Sequence, residues 1–181
     1  MHQIGQRKFI AKSVIKKKYI KNQSTPWRRL RIMKKTTENI LILNDIRSVE
    51  NVGAIFRTAD AVGIDKIYLT GYTPTPLDRF GRKRRDLAKS ALGAEEFVKW
   101  EQKKSISALL TKLKKEGFQI IGIEQDKKSI DYKKVKLESK NAFIVGTEVT
   151  GIPKNILNKC DVIAEIPMRG KKESLNVSVA L

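Results

Sequence analysis

The feature that most constrains the fold of this 181-residue chain is a regular alternation of short apolar runs with amphipathic helical patterns. Six apolar runs bounded by turn residues predict buried strands: NILILND, KIYLTG, EEFVKW, FQIIGIE, NAFIVG and DVIAEIP. Helical patterns lie between them, in NVGAIFRTADAVG, SISALLTKLKKEG and IPKNILNK. Because strands that alternate with helices form βαβ units, the sequence predicts an α/β fold with a mostly parallel six-stranded sheet and helices on both faces.

A parallel sheet binds ligands in the loops that follow the carboxyl ends of its strands. The candidate loops are therefore those that follow Leu43, Leu69, Ile123, Val145 and Ile166. No glycine-rich loop follows the first apolar run, which argues against a Rossmann-type fold.

The charge of the chain is high and uneven. Lys and Arg number 38 against 19 Asp and Glu, a net charge of +19, and twelve of these basic residues lie in residues 1–37, which contain no acid. Such an excess indicates a polyanionic partner, nucleic acid before an anionic membrane. We interpret 1–37 as a basic arm, either a solvated disordered tail or a segment that orders on nucleic acid, and 38–181 as the folded domain.

Several classes of protein are disfavoured by what the sequence contains. The single Cys160 excludes an internal disulfide and fits a reducing cytosol, and the single His2 argues against histidine catalysis and a Cys/His zinc site, so we expect no metal. No apolar run reaches the roughly 18 residues of a membrane span, and the start has no signal-peptide core. We therefore expect a cytoplasmic protein without a membrane partner.

The segment IVGTEVTGIP places Gly146 and Gly151 on either side of an acid, Glu148, just beyond a buried strand. Glycines at such a place let backbone N–H groups approach a ligand closely. The spacing is not that of either standard nucleotide-binding fingerprint. Alone, the segment fits better a tight turn between a strand and a helix, with Glu148 near the start of the helix.

Two further segments are also ambiguous when each is taken alone. In ESLNVSVAL, Ser174 fits the N-cap of a helix, whereas Asn176 gains little in a first turn. In ENVGAIFRTAD, Asn51 fits an N-cap, and Arg57 lies off the apolar face, where it could pair with Asp60.

Together and in this order, NVGAIFRTADAVG, IVGTEVTGIP and IPMRGKKESLNVSVAL resemble motifs 1, 2 and 3 of the SpoU/TrmH family, the RNA 2′-O-ribose methyltransferases of the SPOUT superfamily. The resemblance runs from about Ile40 to the last residue, and RDLAKSALGAEEFVKW resembles the family's segment between motifs 1 and 2. It implies methylation of a ribose 2′-hydroxyl in structured RNA, tRNA or rRNA, with S-adenosyl-L-methionine as cofactor. It also implies a C-terminal trefoil knot, an exception among protein folds, and a homodimer.

The resemblance assigns roles position by position. The catalytic residues that it implies are Asn51, Arg57, Glu148, Ser174 and Asn176. The cofactor-binding residues that it implies are Gly146, Glu148, Gly151, Ile166, Met168 and Leu175. Thr147 stands where the family more usually has Asn, a departure that we expect to be tolerated because the loop backbone does most of the binding. Since a guanidinium stays protonated, we expect Arg57 to clamp the phosphate beside the target ribose, oriented by Asn51.

The basic residues expected to bind RNA are Arg28 and Arg29 in the arm and a cluster of Arg79, Arg82, Lys83, Arg84 and Arg85. Family members continue the motif 3 helix about two turns further, so we expect a domain that is short at its C-terminal helix, with a less stable knot and a weaker dimer. Two alternatives stay open. One is a non-catalytic RNA-binding or ribosome-assembly protein on the same fold, and the other is an unrelated basic α/β protein.

Overall fold

The computed structural model describes residues 37–181, which form one compact unit. Arg28 and Arg29, like the rest of the predicted basic arm up to residue 36, lie outside the described residues. Seven strands are present: β1 Glu38–Asn44, β2 Lys66–Thr70, β3 Trp100–Lys103, β4 Gln119–Ile123, β5 Ile130–Asp131, β6 Lys140–Val145 and β7 Val162–Glu165. The helices are α1 Val49–Val62, α2 Arg85–Ala91, α3 Ile106–Lys115, α4 Lys154–Leu157 and α5 Val177–Ala180, with single 3₁₀ turns at Ala94–Glu96 and Tyr132–Lys134.

All seven strands belong to one parallel sheet in the order β3-β2-β1-β6-β4-β7-β5. The predicted α/β fold with a mostly parallel sheet is therefore confirmed. At the centre, Leu43 of β1 pairs with Leu69 of β2 on one side and with Val145 of β6 on the other. The carboxyl ends of these three strands consequently lie level, and their loops meet at one edge of the sheet.

Two hydrophobic clusters, one on each face of the sheet, explain why the strand sequences are apolar without alternation. Leu41 and Leu43 of β1 pack with α1 and α2, whereas Ile40 and Ile42 pack with α3 and α4. A strand that is covered by helices on both faces buries every side chain, as parallel sheets require. The prediction of helices on both faces is confirmed.

The predicted number of strands was wrong, because the sheet has seven and not six. The additional strand, β5, is only two residues long and pairs with β7 at the edge, too short to produce a period in the sequence. The predicted position of β3 was also wrong. Glu95 and Glu96 of the predicted strand EEFVKW lie in a 3₁₀ turn, and the strand begins at Trp100.

Helix α1 begins at Val49, two residues before Asn51, so the alternative in which Asn51 is an N-cap was wrong. Ser48 is the N-cap, and its hydroxyl accepts the backbone N–H of Asn51 at 3.0 Å. The last helix begins later than predicted: α5 starts at Val177 with Asn176, and not Ser174, as its N-cap. None of the helices in the described part of the chain combines the length and the hydrophobicity that a membrane span requires.

Candidate functional site

A cavity of about 690 Å³ lies at the carboxyl edge of the sheet, between the loops that follow β4, β6 and β7. All six residues that the motifs implied as cofactor ligands line it: Gly146, Glu148, Gly151, Ile166, Met168 and Leu175. Ser174 and Asn176 line it as well. The fold thus brings motifs 2 and 3 to one pocket, although 12 residues, 154–165, lie between the two segments in the sequence.

The first wall of the pocket is a tight turn from residue 146 to 152. The backbone N–H of Thr147 donates to the carbonyl of Gly151 at 3.1 Å, and that of Gly151 donates back at 3.0 Å. A Cβ on Gly146 would lie 2.2 Å from the Gly151 carbonyl carbon, so the turn closes only with glycine there. The Thr147 hydroxyl accepts the Thr150 N–H at 2.9 Å, a turn contact of a kind that Asn side chains also make.

Glu124 also holds this turn in place, although no sequence motif pointed to it. One oxygen of its carboxylate accepts the backbone N–H of Ile152 at 2.8 Å. Gly151 has a φ of +64°, and a Cβ on it would meet the same oxygen at 2.0 Å. The neighbouring Gln125 donates its side-chain amide to the carbonyl of Glu173, 2.8 Å away in the motif 3 loop. Glu124 and Gln125 directly follow Ile123, the last residue of β4. The loop after Ile123 was among the predicted ligand-binding loops, so their place in it could have identified them.

A chain of hydrogen bonds joins the three motifs. The Glu148 carboxylate accepts the backbone N–H groups of Arg47 and Ser48, each at 3.2 Å, and the Asn51 amide at 3.0 Å. The side-chain oxygen of Asn51 accepts a hydrogen bond from the side-chain amide of Asn176 at 3.1 Å. Glu148 therefore helps to cap helix α1, and Asn51 lies at the centre of the network.

The protonation state of Glu148 follows from this network. Loss of water around the carboxylate raises the pKa of Glu148, but the hydrogen bonds from Asn51 and from the backbone N–H groups of Glu148 itself, Arg47 and Ser48 outweigh that effect. Its pKa therefore lies below its usual range. Glu148 is ionised at neutral pH, and its acceptor positions are already engaged within the chain.

The two polar residues of motif 3 differ in how they are used. The side-chain oxygen of Asn176 accepts both the N–H of Ser178 at 2.9 Å and its hydroxyl at 2.7 Å, so this amide caps α5. Ser174 is exposed, and its hydroxyl makes no hydrogen bond within residues 37–181. Among the motif 3 side chains, the Ser174 hydroxyl is thus free to meet a ligand in the pocket.

Arg57 is placed apart from the other predicted catalytic residues. It lies on α1, six residues after Asn51 and about 9 Å further along the helix axis. Its side chain is exposed, does not line the pocket and forms no hydrogen bond or ion pair with any residue of 37–181. Among residues 37–181, neither Asp60 nor Asn51 forms a hydrogen bond or an ion pair with Arg57, so its guanidinium is available to an external anion.

The predicted basic cluster is largely engaged in ion pairs. Arg82 pairs with Asp78 at 2.8 Å, Lys83 with Glu96 at 2.6 Å and Arg84 with Asp86 at 2.6 Å. Among the described residues, no carboxylate pairs with the two remaining members, Arg79 and Arg85. All three pairs are at the surface, where such interactions contribute about 1 kcal/mol or less and exchange readily with a phosphate.

The charge of the pocket is opposite to that of the chain. Among residues 37–181, the acids that line it are Glu124, Glu148, Glu165 and Glu173, and neither Lys nor Arg lines it. Ile123, Ile166, Met168 and Leu175 supply an apolar wall. Such a pocket favours a ligand with a flat apolar part and positive charge, and it disfavours the phosphates of a dinucleotide.

Comparison with known proteins gives a family match over the same residues. The model of the SpoU rRNA methylase family matches residues 38–181. A Staphylococcus aureus protein assigned to the TrmH family of tRNA/rRNA methyltransferases is 32% identical over 147 residues, which are 81% of this chain and 56% of that protein. The chain thus spans little more than half the length of this relative.

Solved structures agree in fold. The AdoMet-bound rRNA methyltransferase of Sinorhizobium meliloti superposes with a TM-score of 0.71 at 24% identity, over 79% of this chain and 52% of that one. The TrmH/SpoU tRNA-modifying enzyme of A. aeolicus superposes with a TM-score of 0.68 at 28% identity, over 84% of this chain and 77% of that one.

Proposed function

Because the chain belongs to the SpoU rRNA methylase family, we propose that it is an enzyme that methylates a ribose 2′-hydroxyl of tRNA or ribosomal RNA with S-adenosyl-L-methionine. The S. meliloti protein of the same fold is described as AdoMet-bound, and another structure of this fold, at 23% identity, is described as an RNA 2′-O ribose methyltransferase. These descriptions belong to those proteins and support the proposal for this chain.

The observation that carries the proposal is the acidic pocket in a chain of net charge +19. The cofactor has a sulfonium, an ammonium group and one carboxylate, and hence a net positive charge, together with an adenine ring and ribose hydroxyls. Glu124, Glu165 and Glu173 match the positive charges and the hydroxyls, while Ile166, Met168 and the turn at 146–152 would hold the ring. The residues present therefore fit this cofactor.

S-adenosyl-L-methionine, when bound, supplies a methyl group that its positive sulfur has already activated. The residues of this chain then have to hold the 2′-hydroxyl in line with that methyl, a positioning effect that can contribute several kcal/mol. We assign Ser174 to contact the ligands directly, because its hydroxyl lines the pocket without a partner in residues 37–181. Glu148, Asn51 and Asn176 act as positioning residues, since their polar atoms bond to one another.

Arg57 is proposed as the clamp on the phosphate beside the target ribose. Its guanidinium stays protonated at neutral pH and cannot act as a base, but it can bind two phosphate oxygens at once. The proton of the hydroxyl would leave to that phosphate or to water. Because Arg57 lies on the outer part of α1, we propose that it serves the site of a second subunit in a homodimer.

An apolar surface beside α1 supports the homodimer. Val62 and Val179 are 68% and 67% exposed, and both line a groove of about 570 Å³ with Leu181 and Phe143. Exposed apolar area of this kind favours association. Sedimentation equilibrium tests the dimer. The proposed fold also includes the C-terminal trefoil knot implied by the motifs.

The proposed function is tested by calorimetric titration with S-adenosyl-L-methionine and by transfer of labelled methyl groups to total tRNA and to ribosomal RNA. We expect cofactor binding and a product that resists alkaline cleavage at one position, because a 2′-O-methyl group blocks that cleavage. Binding of both ligands without turnover would instead favour a non-catalytic RNA-binding or ribosome-assembly protein. Absence of cofactor binding by the folded chain would refute the proposal.

The role of Arg57 is tested with Arg57→Ala. We expect methyl transfer to fall at least about 100-fold, as expected for loss of an electrostatic contact in the transition state, with cofactor affinity within a few-fold of the wild type. The folded stability should change by less than about 0.5 kcal/mol, because the side chain is exposed and unpaired within residues 37–181. A collapse of cofactor affinity in the folded variant would contradict the role.

A further inference from the structure

The loop between β2 and α2, residues 71–84, carries two exposed aromatic side chains that the proposed mechanism does not use. Tyr72 is 84% exposed and Phe80 is 66% exposed. Residues 77–85 around Phe80 hold five basic residues against one acid, Asp78. Aromatic rings among unpaired or loosely paired cations are the composition of a surface that binds single-stranded nucleic acid.

The tip of this loop is ordered by its acid. The Asp78 carboxylate accepts the backbone N–H groups of Phe80 at 2.8 Å and of Arg82 at 2.9 Å, and it also accepts the Arg82 side chain at 2.8 Å. The guanidinium groups of Arg79 and Arg82 lie 4.8 and 4.9 Å from the centre of the Phe80 ring. The ring therefore holds two cations in place before any ligand arrives.

The base of the loop is tied to the candidate active site. The backbone N–H of Tyr72 donates to the Asp45 carboxylate at 3.0 Å, and the buried Thr73 hydroxyl accepts the N–H of Ile46 at 3.1 Å. The next residue, Arg47, donates its N–H to Glu148. Tyr72 is thus fixed relative to the motif 2 turn through three consecutive residues of the loop after β1.

The distance between the loop that carries Tyr72 and the motif 2 turn suits two adjacent nucleotides. Leu69 of β2 and Val145 of β6 flank Leu43, so the loops that follow β2 and β6 start two strand spacings apart, about 10 Å. In one RNA strand, the nucleotide next to the methylated one can therefore reach Tyr72.

We propose that loop 71–84 is a platform for single-stranded RNA, on which Tyr72 stacks an unpaired base next to the methylated nucleotide while Arg79 and Arg82, held on Phe80, bind the adjoining phosphates. The inference rests on the proposed function and specifies its substrate as RNA with an unpaired target region. Stacking needs no particular base, because every base has a π face. A second copy of this chain fits the surface poorly, since two equally basic loops repel each other.

The test compares two labelled oligomers with the full-length protein: an oligouridylate of about 12 nucleotides, within the usual range of single-strand binding sites, and an abasic oligomer of the same length. Both carry the same phosphates, so the arm at 1–37 contributes to both. We expect Tyr72→Ala to weaken oligouridylate binding about 10-fold, as for the loss of one stacked base, and to leave abasic binding within about twofold. The double variant Arg79→Gln, Arg82→Gln should weaken both oligomers and reduce the salt slope by about 1.4.

The matched control is Tyr72→Phe. It keeps the aromatic ring and removes only a hydroxyl that forms no hydrogen bond within residues 37–181, so it should change neither affinity by more than about twofold. Equal loss for both oligomers in Tyr72→Ala, or no loss, overturns the inference. So does a change in the sedimentation of Tyr72→Ala without RNA, which would assign the surface to a protein contact.

Methyl transfer by the wild type separates the two proposals. Wild-type turnover together with unchanged oligouridylate affinity in Tyr72→Ala refutes the platform alone. A wild type that binds neither cofactor nor RNA refutes the proposed function as well.

Discussion

At the scale of single residues, the site depends on side chains that hold backbone in place as much as on those that face a ligand. Glu124 is the clearest case, because its carboxylate accepts the N–H of Ile152, which is only 3% exposed. A buried N–H without an acceptor costs about 1–3 kcal/mol. The Glu124 carboxylate also lines the pocket. Two substitutions can therefore distinguish the effect of its hydrogen bond from the effect of its charge.

We expect Glu124→Ala to lower the free energy of unfolding by about 1–2 kcal/mol, because the N–H of Ile152 loses its acceptor. In the proposed function, cofactor affinity should fall about 10-fold, since 1.4 kcal/mol is a factor of ten in an equilibrium constant. The matched variant Glu124→Gln keeps a carbonyl acceptor and should keep the stability, while the lost charge weakens cofactor binding a few-fold. Urea denaturation and calorimetry measure the two effects. Wild-type behaviour of Glu124→Ala would contradict this role.

At the scale of elements, the motif 2 turn and helix α1 are connected through one carboxylate. Glu148 accepts two backbone N–H groups at the start of α1 in addition to the Asn51 amide. A negative charge at this end also interacts favourably with the helix dipole. Hydrogen bonds therefore connect the turn that lines the pocket with the helix that carries Arg57.

This connection predicts a pH dependence. The pKa of Glu148 is lower in the folded chain than its ordinary value of 4.5, so its contribution to stability is complete above that value and is lost as the pH falls through the folded pKa. We expect Glu148→Gln to be less stable than the wild type by about 1 kcal/mol at pH 7, a typical cap contribution, and the difference to shrink below about pH 4.5. Urea denaturation from pH 7 to pH 3 measures it.

The control for that experiment is Glu50→Gln, which removes another acid from the first turn of α1 without touching the turn at 146–152. Its effect should be smaller at pH 7. If Glu148→Gln and the wild type differed by the same amount at every pH, the ionised carboxylate would not be the source of the stability.

At the scale of the whole molecule, charge is divided between the two parts of the sequence. Residues 1–37 carry twelve basic residues and no acid, whereas 38–181 carry 26 basic and 19 acidic residues, a net +7. The pocket is acidic within the second part. In the proposed function, the basic arm would serve RNA and the acidic pocket the cofactor.

We expect deletion of residues 1–37 to weaken RNA binding and to flatten the dependence of log K on log salt by several units, because each neutralised phosphate contributes about 0.7–0.9. Cofactor affinity should remain within a few-fold, because the pocket is built from residues 123–180. Anisotropy titrations at several salt concentrations measure the slope, and circular dichroism checks the fold. An unchanged slope would show that the arm does not contact RNA and would leave the basic loop as the main RNA site.

The sequence by itself determined the class of fold, the family and the identity of the loops around the pocket. Local periodicity is enough to recognise buried strands such as β1 and amphipathic helices such as α3, because each is specified by residues close together in the chain. The glycines at 146 and 151 were likewise recognisable, since close backbone approach leaves few alternatives to glycine.

Only the tertiary structure decided which side chains meet. The bonds of Glu148 to Asn51 and of Asn51 to Asn176 join residues 97 and 125 positions apart, and Glu124 reaches Ile152 across 28. Such pairs depend on strand order and register, which no local pattern contains. The short strand β5 was missed and the start of α5 was placed too early for a related reason. Elements of two and four residues have too few positions for a period and are held by their neighbours in space.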